Sequence, residues 1–224
     1  MGALIDVDTV DVTVISCLYG ETHERFAGEW ANAVSDLRPF PYGIVVVACD
    51  RPRLVLGGRA VMPCDWKHQQ AYYLQQALNM VDTEWVWIHD IDDVAYPDAL
   101  KGIDQVAADV WQLGYKRSDG ETYLPPQLNA DEVLNAERNP FVAGSCVRTE
   151  TLRKVGGVPD CALQDWALWR RLALAGASFA SSDRIHFYYR RHDKTRGAAE
   201  LTLDRREEHV REMLDLEGQV AFTC

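Results

Sequence analysis

The stretch that decides the fold is Glu84-Trp-Val-Trp-Ile-His-Asp-Ile-Asp-Asp93. Its residues before Asp90 are almost all apolar or aromatic, a composition that predicts a buried β-strand. Three carboxylates follow at once, on Asp90, Asp92 and Asp93. Such closely spaced carboxylates repel one another, and in proteins they commonly hold Mg²⁺ or Mn²⁺ together with the phosphates of a substrate. The alternative is a solvated acidic turn in front of the next helix.

Strands and helices alternate around this stretch. Val12–Leu18 and Gly43–Cys49 are β-branched and apolar runs that predict two further buried strands. Apolar residues at helical spacing predict helices over His23–Leu37 and from about His68. A further helix is expected from Pro97, with one face formed by Leu100, Ile103, Ala107 and Val110. This alternation predicts a three-layer α/β fold with a mainly parallel central sheet.

The polar residues that follow these strands are expected to meet at one edge of the sheet. Right-handed crossovers bring the carboxyl ends of parallel strands together, and ligands bind beyond that edge. Tyr19 follows the first strand, Asp50 the second, and the acidic cluster the third. The sequence therefore predicts a ligand site at this edge.

The second half of the chain is less regular. Gly114–Asn139 is polar and predicts a long excursion from the domain, of the kind that forms binding loops. After it we expect strands over Phe141–Arg148 and Ile185–Tyr189, a turn at Gly156–Gly157, and a helix over Gln164–Ala175. A last helix is striped by Leu203, Val210 and Leu214. We expect one domain over 1–224, with its core over about 12–192 and a helical segment over 193–224.

Composition narrows the class of protein. The net charge of −11 argues against binding to duplex nucleic acid, which needs clustered Lys and Arg. No apolar run reaches the length of a membrane span, and the acidic start is unlike a signal peptide. The six cysteines are scattered, without zinc-type spacing, and Cys17 and Cys49 lie in apolar runs as small buried residues. We therefore expect a reduced, cytoplasmic protein.

Several segments together resemble the family-two inverting glycosyltransferases, which have the GT-A fold. Residues 84–93 resemble the strand and "LDxDD" signature of that family, and Val12–Tyr19 and Val45–Asp50 resemble its first two strands. Ala143–Asp160 is similar to its acceptor-side strand, helix and "GGxxE/D" turn. Residues 164–176 resemble its "ED" helix, and Tyr189-Arg-Arg-His192 resembles its "YRxH" segment.

The resemblance implies transfer of a sugar from a nucleoside diphosphate sugar, a UDP-sugar, to an acceptor hydroxyl with inversion. The acceptor is open: a saccharide, a protein side chain or a small molecule. Asp165 is then the general base, and a helix N-terminus keeps such a carboxylate ionised. The implied cation, Mn²⁺ or Mg²⁺, is held by Asp92 with Asp90 and Asp93, and His192 is a further candidate ligand. The implied donor contacts are Tyr19, Asp50, Lys67, Asp90 and Arg190.

Local alternatives stand beside these roles. Asp165 also suits a helix cap, Lys67 a solvated lysine at a helix start, and His192 a surface histidine paired with an acid. Strand alternation lets only one of Arg190 and Arg191 face the diphosphate. Core packing is the expected role of Trp166 and Trp169.

The chain also departs from the family's pattern in three places. His89 stands at an aliphatic position, Gln164 replaces a Glu, and 51–68 lacks the usual Gly-rich loop with its Arg.

Rival functions lack their own motifs. A sugar-nucleotide nucleotidyltransferase would need a Gly-rich, Arg-bearing loop after the first strand, where this chain has Leu18-Tyr-Gly-Glu-Thr-His. An aspartate-nucleophile phosphatase needs paired Asp there, and a dinucleotide oxidoreductase needs GxGxxG after a strand. A non-catalytic nucleotide-sugar-binding module remains open, since it keeps the donor pocket without needing a base at Asp165.

Overall fold

The computed structural model describes residues 9–18, 20–49, 60–64, 70–141, 144–161 and 163–191. The strands are β1 Thr9–Leu18, β2 Phe40–Cys49, β3 Ala60–Cys64, β4 Trp85–Ile88, β5 Val94–Ala95, β6 Val110–Arg117, β7 Thr122–Tyr123, β8 Cys146–Arg148 and β9 Phe179–Tyr189. The α-helices are α1 Gly20–Ser35, α2 Gln70–Leu78, α3 Ala130–Leu134, α4 Thr149–Lys154 and α5 Gln164–Leu174, and a 3₁₀ helix spans Ile103–Gln105.

These strands form one mixed sheet in the order β3-β2-β1-β4-β8-β6-β9-β5, with β7 paired to β6. The pairs β1–β2, β1–β4, β2–β3 and β6–β9 are parallel. Only β5, β7 and β8 of the described strands run in the opposite direction. The mainly parallel three-layer fold expected from the sequence is confirmed.

The sheet has a hydrophobic core on each face. In β4, Trp85 and Trp87 belong to the core that contains Trp30 of α1. Val86 and Ile88 belong to the core on the other face, with residues of α2 and α5. Successive side chains of a strand point to opposite faces, so a strand covered on both sides is apolar throughout. This explains why the carboxylates of the acidic turn come only after β4 has ended.

The prediction of a helix that starts at Pro97 is wrong. Residues 97–102 form turns, the 3₁₀ helix follows, and Val110 begins β6. Gly102 has φ 87°, a left-handed conformation that interrupts a helix. Val110 then pairs with both β8 and β9, and this pairing outweighs the helical spacing of the apolar residues.

The segment Gly114–Asn139 is also more regular than expected. Its first residues complete β6, β7 pairs back onto β6, and α3 begins with a capping box between Asn129 and Glu132. In addition, β3 was not predicted from the sequence, because Pro63 lies within it. β3 lies at the edge of the sheet, where a strand tolerates proline.

The other predicted helices, strands and turns mostly agree with the structure. The helix at 164–174, the turn at Gly156–Gly157 and the burial of Cys17, Trp166 and Trp169 are confirmed. β8 is shorter than expected, and β9 begins earlier, at Phe179. The predicted last helix and the side chain of Cys49 lie outside the described part. Among the described residues, no helix has the length and apolarity to cross a membrane.

A buried histidine on β9 makes stability depend on pH. The Nδ1–H of His186 donates to the Ala99 carbonyl at 2.6 Å, and the Ser182 hydroxyl donates to Nε2 at 2.5 Å. The pKa of His186 is lowered from 6.5 to about 4, chiefly by burial and also by the charge of Arg184, against the Ala99 hydrogen bond and the charges of Asp98 and Asp183. Between these values the unfolded chain binds the proton and the folded one does not, so stability falls as the pH drops.

We expect His186 to lower the free energy of unfolding by about 3 kcal/mol at pH 4 relative to neutral pH, and to contribute no pH dependence above about pH 7. The His186→Gln variant should show a shallower decrease between pH 6.5 and 4 in urea titrations followed by circular dichroism. An identical slope in the two proteins would contradict this assignment.

Candidate active site

The acidic cluster forms a tight turn directly beyond β4. The amide of Asp93 donates to the carbonyl of Asp90 at 3.2 Å, and Ile91 is buried in the core beneath the turn. The Asp90 and Asp92 residues are half-buried, whereas Asp93 is only 4% exposed. The turn therefore carries two half-buried aspartates and one that is buried.

Asp90 lies close enough to both Asp92 and Asp165 to feel their charges. The pKa of Asp90 is raised to about 8, chiefly by burial and also by the charges of Asp92 and Asp165, against a hydrogen bond from Gln70. Asp165 comes from the first turn of α5. The structure thus brings together Asp90, Asp92 and the predicted base, although they are separated by more than seventy residues of sequence.

These carboxylates fit a hard divalent cation. Mg²⁺ and its analogues are held by one or two protein carboxylates together with substrate phosphates and water. Repulsion on Asp90 is what a cation would relieve. Within the described ranges, no three His, Cys, Asp or Glu side chains form a metal-binding group. Of the predicted ligands, His192 lies outside the described part.

The Asp93 carboxylate is hydrogen-bonded to the backbone at the end of β9. Its Oδ1 accepts a hydrogen bond from the backbone N–H of Arg190 at 2.9 Å. Burial raises the pKa of Asp93 well above its usual value, as do the charges of Asp90 and Asp92, while Arg190 lowers it. Its observed contact is therefore with the end of β9, to which it joins the turn.

The Arg190 side chain supports the same turn. Its Nε donates to the carbonyl of Asp92 at 2.9 Å, and its Nη2 contacts Glu29 of α1 at 2.6 Å. The guanidinium also lies 4.6 Å from the centre of the Phe26 ring. In this structure Arg190 thus links the acidic turn to α1, and its contact with a diphosphate stays a prediction.

Asp165 is not the N-cap of α5. The N-cap is Leu163, which makes no side-chain capping bond, and Asp165 is the second helical residue. Its neighbour Gln164 donates from Nε2 to Oε1 of Gln70 at 3.2 Å, and Gln70 donates to Oδ1 of Asp90, also at 3.2 Å. The start of α5 is therefore joined to the acidic turn through two side-chain amides.

His89, the residue before the turn, belongs to the core. It is completely buried, stacks on Trp87 at 4.4 Å, and contacts the rings of Trp30 and Phe187. Neither ring nitrogen has a hydrogen-bond partner among the described residues. Burial lowers its pKa to about 3, so it stays neutral at ordinary pH. It therefore fills an apolar position despite its polar ring.

Four predicted site residues lie outside the described part: Tyr19, Asp50, Lys67 and His192. Three contributors to the site were missed, namely Glu29, Gln70 and Tyr189. The position of Gln70 at the start of a helix predicted from about His68, at the ligand edge, was a usable signal. Glu29 carried no local signal, whereas Tyr189 opens the segment that resembles the "YRxH" motif. The pKa of Tyr189 is raised by burial and by the charge of Asp93.

Comparison with known proteins gives a structural likeness without a sequence match. No family model matches the chain, and no curated protein matches it. Residues 1–349 of S. aureus TarS in complex with UDP align with a TM-score of 0.67 and 18% identity, over 93% of this chain and 64% of that one. The mannosyltransferase PcManGT from Pyrobaculum calidifontis, in complex with GDP-Man and Mn²⁺, aligns with a TM-score of 0.61 and 16% identity, over 91% of this chain and 62% of that one.

The chain thus spans less than two thirds of the length of these two proteins, and 36% of a longer TarS structure. At identities this low, the likeness establishes the fold. The GT-A type of three-layer fold expected from the sequence is the fold of this chain.

The contacts of Arg190 lead to a prediction about stability. We expect Arg190→Met to lower the free energy of unfolding by about 1–3 kcal/mol, because the Asp92 carbonyl and the Glu29 carboxylate lose their common donor. The matched control is Arg191→Met. The Arg191 side chain is more exposed, and its contact with the described residues is a 3.9 Å ion pair with Asp119, so its loss should change stability by less than about 0.5 kcal/mol. Equal losses in urea titrations would show that the Arg190 side chain does not support the turn.

Proposed function

We propose that this chain is a metal-dependent glycosyltransferase that moves a sugar from a nucleoside diphosphate sugar to an acceptor hydroxyl with inversion. The observation that carries the proposal is the meeting of Asp90, Asp92 and Asp165 beyond the carboxyl end of β4. Further support comes from the structural neighbours, which were solved with UDP, UDP-GlcNAc, and GDP-Man with Mn²⁺. The acceptor class is left open.

In this proposal Asp92 and Asp90 hold the cation, and Asp93 anchors the turn on β9. A bound Mn²⁺ or Mg²⁺ would supply positive charge next to the departing diphosphate. Tyr19, Asp50 and Lys67 are proposed to contact the donor. The hydrogen bond from Arg190 Nε to the Asp92 carbonyl holds the Asp92 peptide in place, so that the carboxylate need reorganise less when the donor binds.

The proposed transfer is a single displacement. The acceptor oxygen forms a bond to the anomeric carbon while the bond between that carbon and the diphosphate oxygen breaks. Asp165 accepts the proton of the acceptor hydroxyl, and the bonding electrons leave with the diphosphate. Attack from the face opposite the leaving group inverts the configuration at the anomeric carbon. This geometry requires the base and the diphosphate site to lie on opposite sides of the sugar.

The proposed cation site can be tested by measuring how tightly a nucleotide binds with and without the metal. We expect UDP to bind at least about tenfold more tightly with Mn²⁺ than with a chelator, a difference of about 1.4 kcal/mol. Asp92→Ala should remove that difference. The control is Asp82→Ala, which deletes an exposed carboxylate before the opposite end of β4 and should leave the difference unchanged. Calorimetry showing equal affinity with and without Mn²⁺ in the wild type would refute the cation site.

The base is tested by a charge-neutral substitution. We expect Asp165→Asn to keep the fold and the affinity for UDP, because the amide has nearly the shape of the carboxylate. Transfer should fall by ~10²–10⁴-fold, the usual contribution of a general base, with kcat more affected than the donor KM.

Asp131→Asn is the matched control, since Asp131 is the second residue of α3 as Asp165 is of α5. It reproduces the loss of a charge near a helix N-terminus without touching the site. Full activity of Asp165→Asn would assign the proton to another group. A wild type that binds the donor but neither transfers nor hydrolyses its sugar would favour the non-catalytic binding module.

A further inference from the structure

Two glutamine side chains bridge the acidic turn and the helix that carries the proposed base. Gln164 Nε2 donates to Gln70 Oε1, and Gln70 Nε2 donates to Asp90 Oδ1. Both amides donate in the direction of the acidic turn, and an N–H group of Gln70 is directed at the Asp90 carboxyl group. The Oε1 of Gln70 is then left to receive the N–H of Gln164. Each amide thus fixes the orientation of the next.

The bridge joins elements that are distant in sequence. Gln70 is the first residue of α2, Gln164 is the first residue of α5, and Asp90 follows β4. Gln164 is also the chain neighbour of Asp165. Holding the Gln164 amide therefore constrains the first turn of α5, and with it the backbone from which the Asp165 side chain projects. All four residues are half-buried, where a hydrogen bond is less weakened by competition with water.

Uncharged groups suit this position for an electrostatic reason. Asp92 and Asp165 both act on Asp90 with like charge, so a carboxylate at either glutamine position would add to the repulsion. An Arg or Lys there would supply a competing positive charge next to the proposed cation site. An amide provides a hydrogen-bond donor and an acceptor without net charge. It can therefore link the acidic turn to α5 without changing the negative charge that would attract the proposed cation.

The turn is thus held from two sides by different chemistry. On the side of α1 and β9, the charged Arg190 binds the Asp92 carbonyl and Glu29. On the side of α5, only the two amides lie between Asp90 and the start of the helix in this chain of hydrogen bonds. The neutral side is the one that faces the proposed base.

We propose that Gln70 and Gln164 act as one positioning unit for sugar transfer, setting the Asp90 carboxylate and the Asp165 carboxylate at a fixed separation. This inference rests on the function proposed above. It follows that removal of either amide should have the effect of removing both, because a chain of two hydrogen bonds is interrupted by one break. Misplacement of reacting groups by about 1 Å can cost about 10²-fold in rate.

The experiment is a double-mutant cycle on the full 224-residue chain. Gln70→Leu, Gln164→Leu and the double variant are compared with Gln76→Leu, a half-buried glutamine on α2 that lies outside the bridge. The rate measured is release of UDP from UDP-GlcNAc, and of GDP from GDP-Man, with Mn²⁺. Melting temperatures and UDP affinities are measured on the same samples.

Each single variant should lower kcat by about 10- to 100-fold, with the donor KM changed less, and the double variant should be no slower than the slower single one. Gln76→Leu should retain wild-type kcat. Independent readout comes from the side-chain NH₂ signals of ¹⁵N-labelled glutamine. The Gln164 signal should shift in Gln70→Leu and remain in place in Gln76→Leu. Because either single substitution interrupts the bridge, one folded variant is enough for the kinetic test.

Losses that multiply in the double variant, or single variants as active as Gln76→Leu, would overturn the positioning unit. A side-chain NH₂ signal of Gln164 that does not shift in the Gln70→Leu variant would overturn it as well. Failure of the proposed function looks different: the wild type would then release no nucleotide from either donor, while the NMR coupling between the two amides persists. That result would remove the catalytic role of the amides together with the proposed reaction.

Discussion

Repulsion among the carboxylates beyond β4 is the constraint on which the rest of this edge depends. Asp90, Asp92 and Asp93 fall within four residues, and Asp165 adds its charge from α5. Such a cluster persists in a folded chain only where other groups offset it. The buried Asp93 accepts a hydrogen bond from the β9 backbone, and Arg190 adds a positive charge close by. The remaining pair, Asp90 and Asp92, is where we place the cation.

The mixed topology of the sheet explains how the base reaches this cluster. β8 pairs antiparallel with β4 and reverses the chain, so that α4 follows at the opposite end of the sheet. The turn at Gly156–Gly157, with both residues in the left-handed conformation, then returns the chain toward the ligand edge. α5 begins there, with Gln164 joined to Gln70.

Low sequence identity and a shared fold are compatible because the fold and the chemistry depend on different residues. Burial of β4 on two faces needs only apolar side chains of suitable size, and many sequences supply them. His89 shows how far this tolerance extends, since a neutral imidazole stacked on Trp87 occupies the core. The proposed chemistry depends instead on a few carboxylates and on the contacts that place them. Those contacts, notably the two glutamines, are features of this chain.

The sequence by itself determined the strands β1, β2 and β4, the helices α1, α2 and α5, and the position of the acidic turn. These elements are encoded by local periodicity. Because the strands are apolar throughout, the polar residues that could bind a ligand follow the ends of the strands. The helix predicted from Pro97 did not form, although apolar residues recur at helical spacing over 100–110. The left-handed conformation of Gly102 interrupts it, and β6 pairs with β8 and β9 instead. Local patterns also did not indicate β3, which holds its place through pairing with β2.

Only the tertiary structure decided which side chains meet. Asp93 and Arg190, Gln70 and Asp90, and Gln164 and Gln70 are each joined across twenty or more residues of sequence. No local pattern specifies such contacts, because they depend on the sheet order and on where each helix begins relative to a strand end. The sequence could therefore name Asp165 and the acidic turn as candidates. Their proximity, and the neutral bridge between them, follow from the packing of α2 and α5 against the same edge of the sheet.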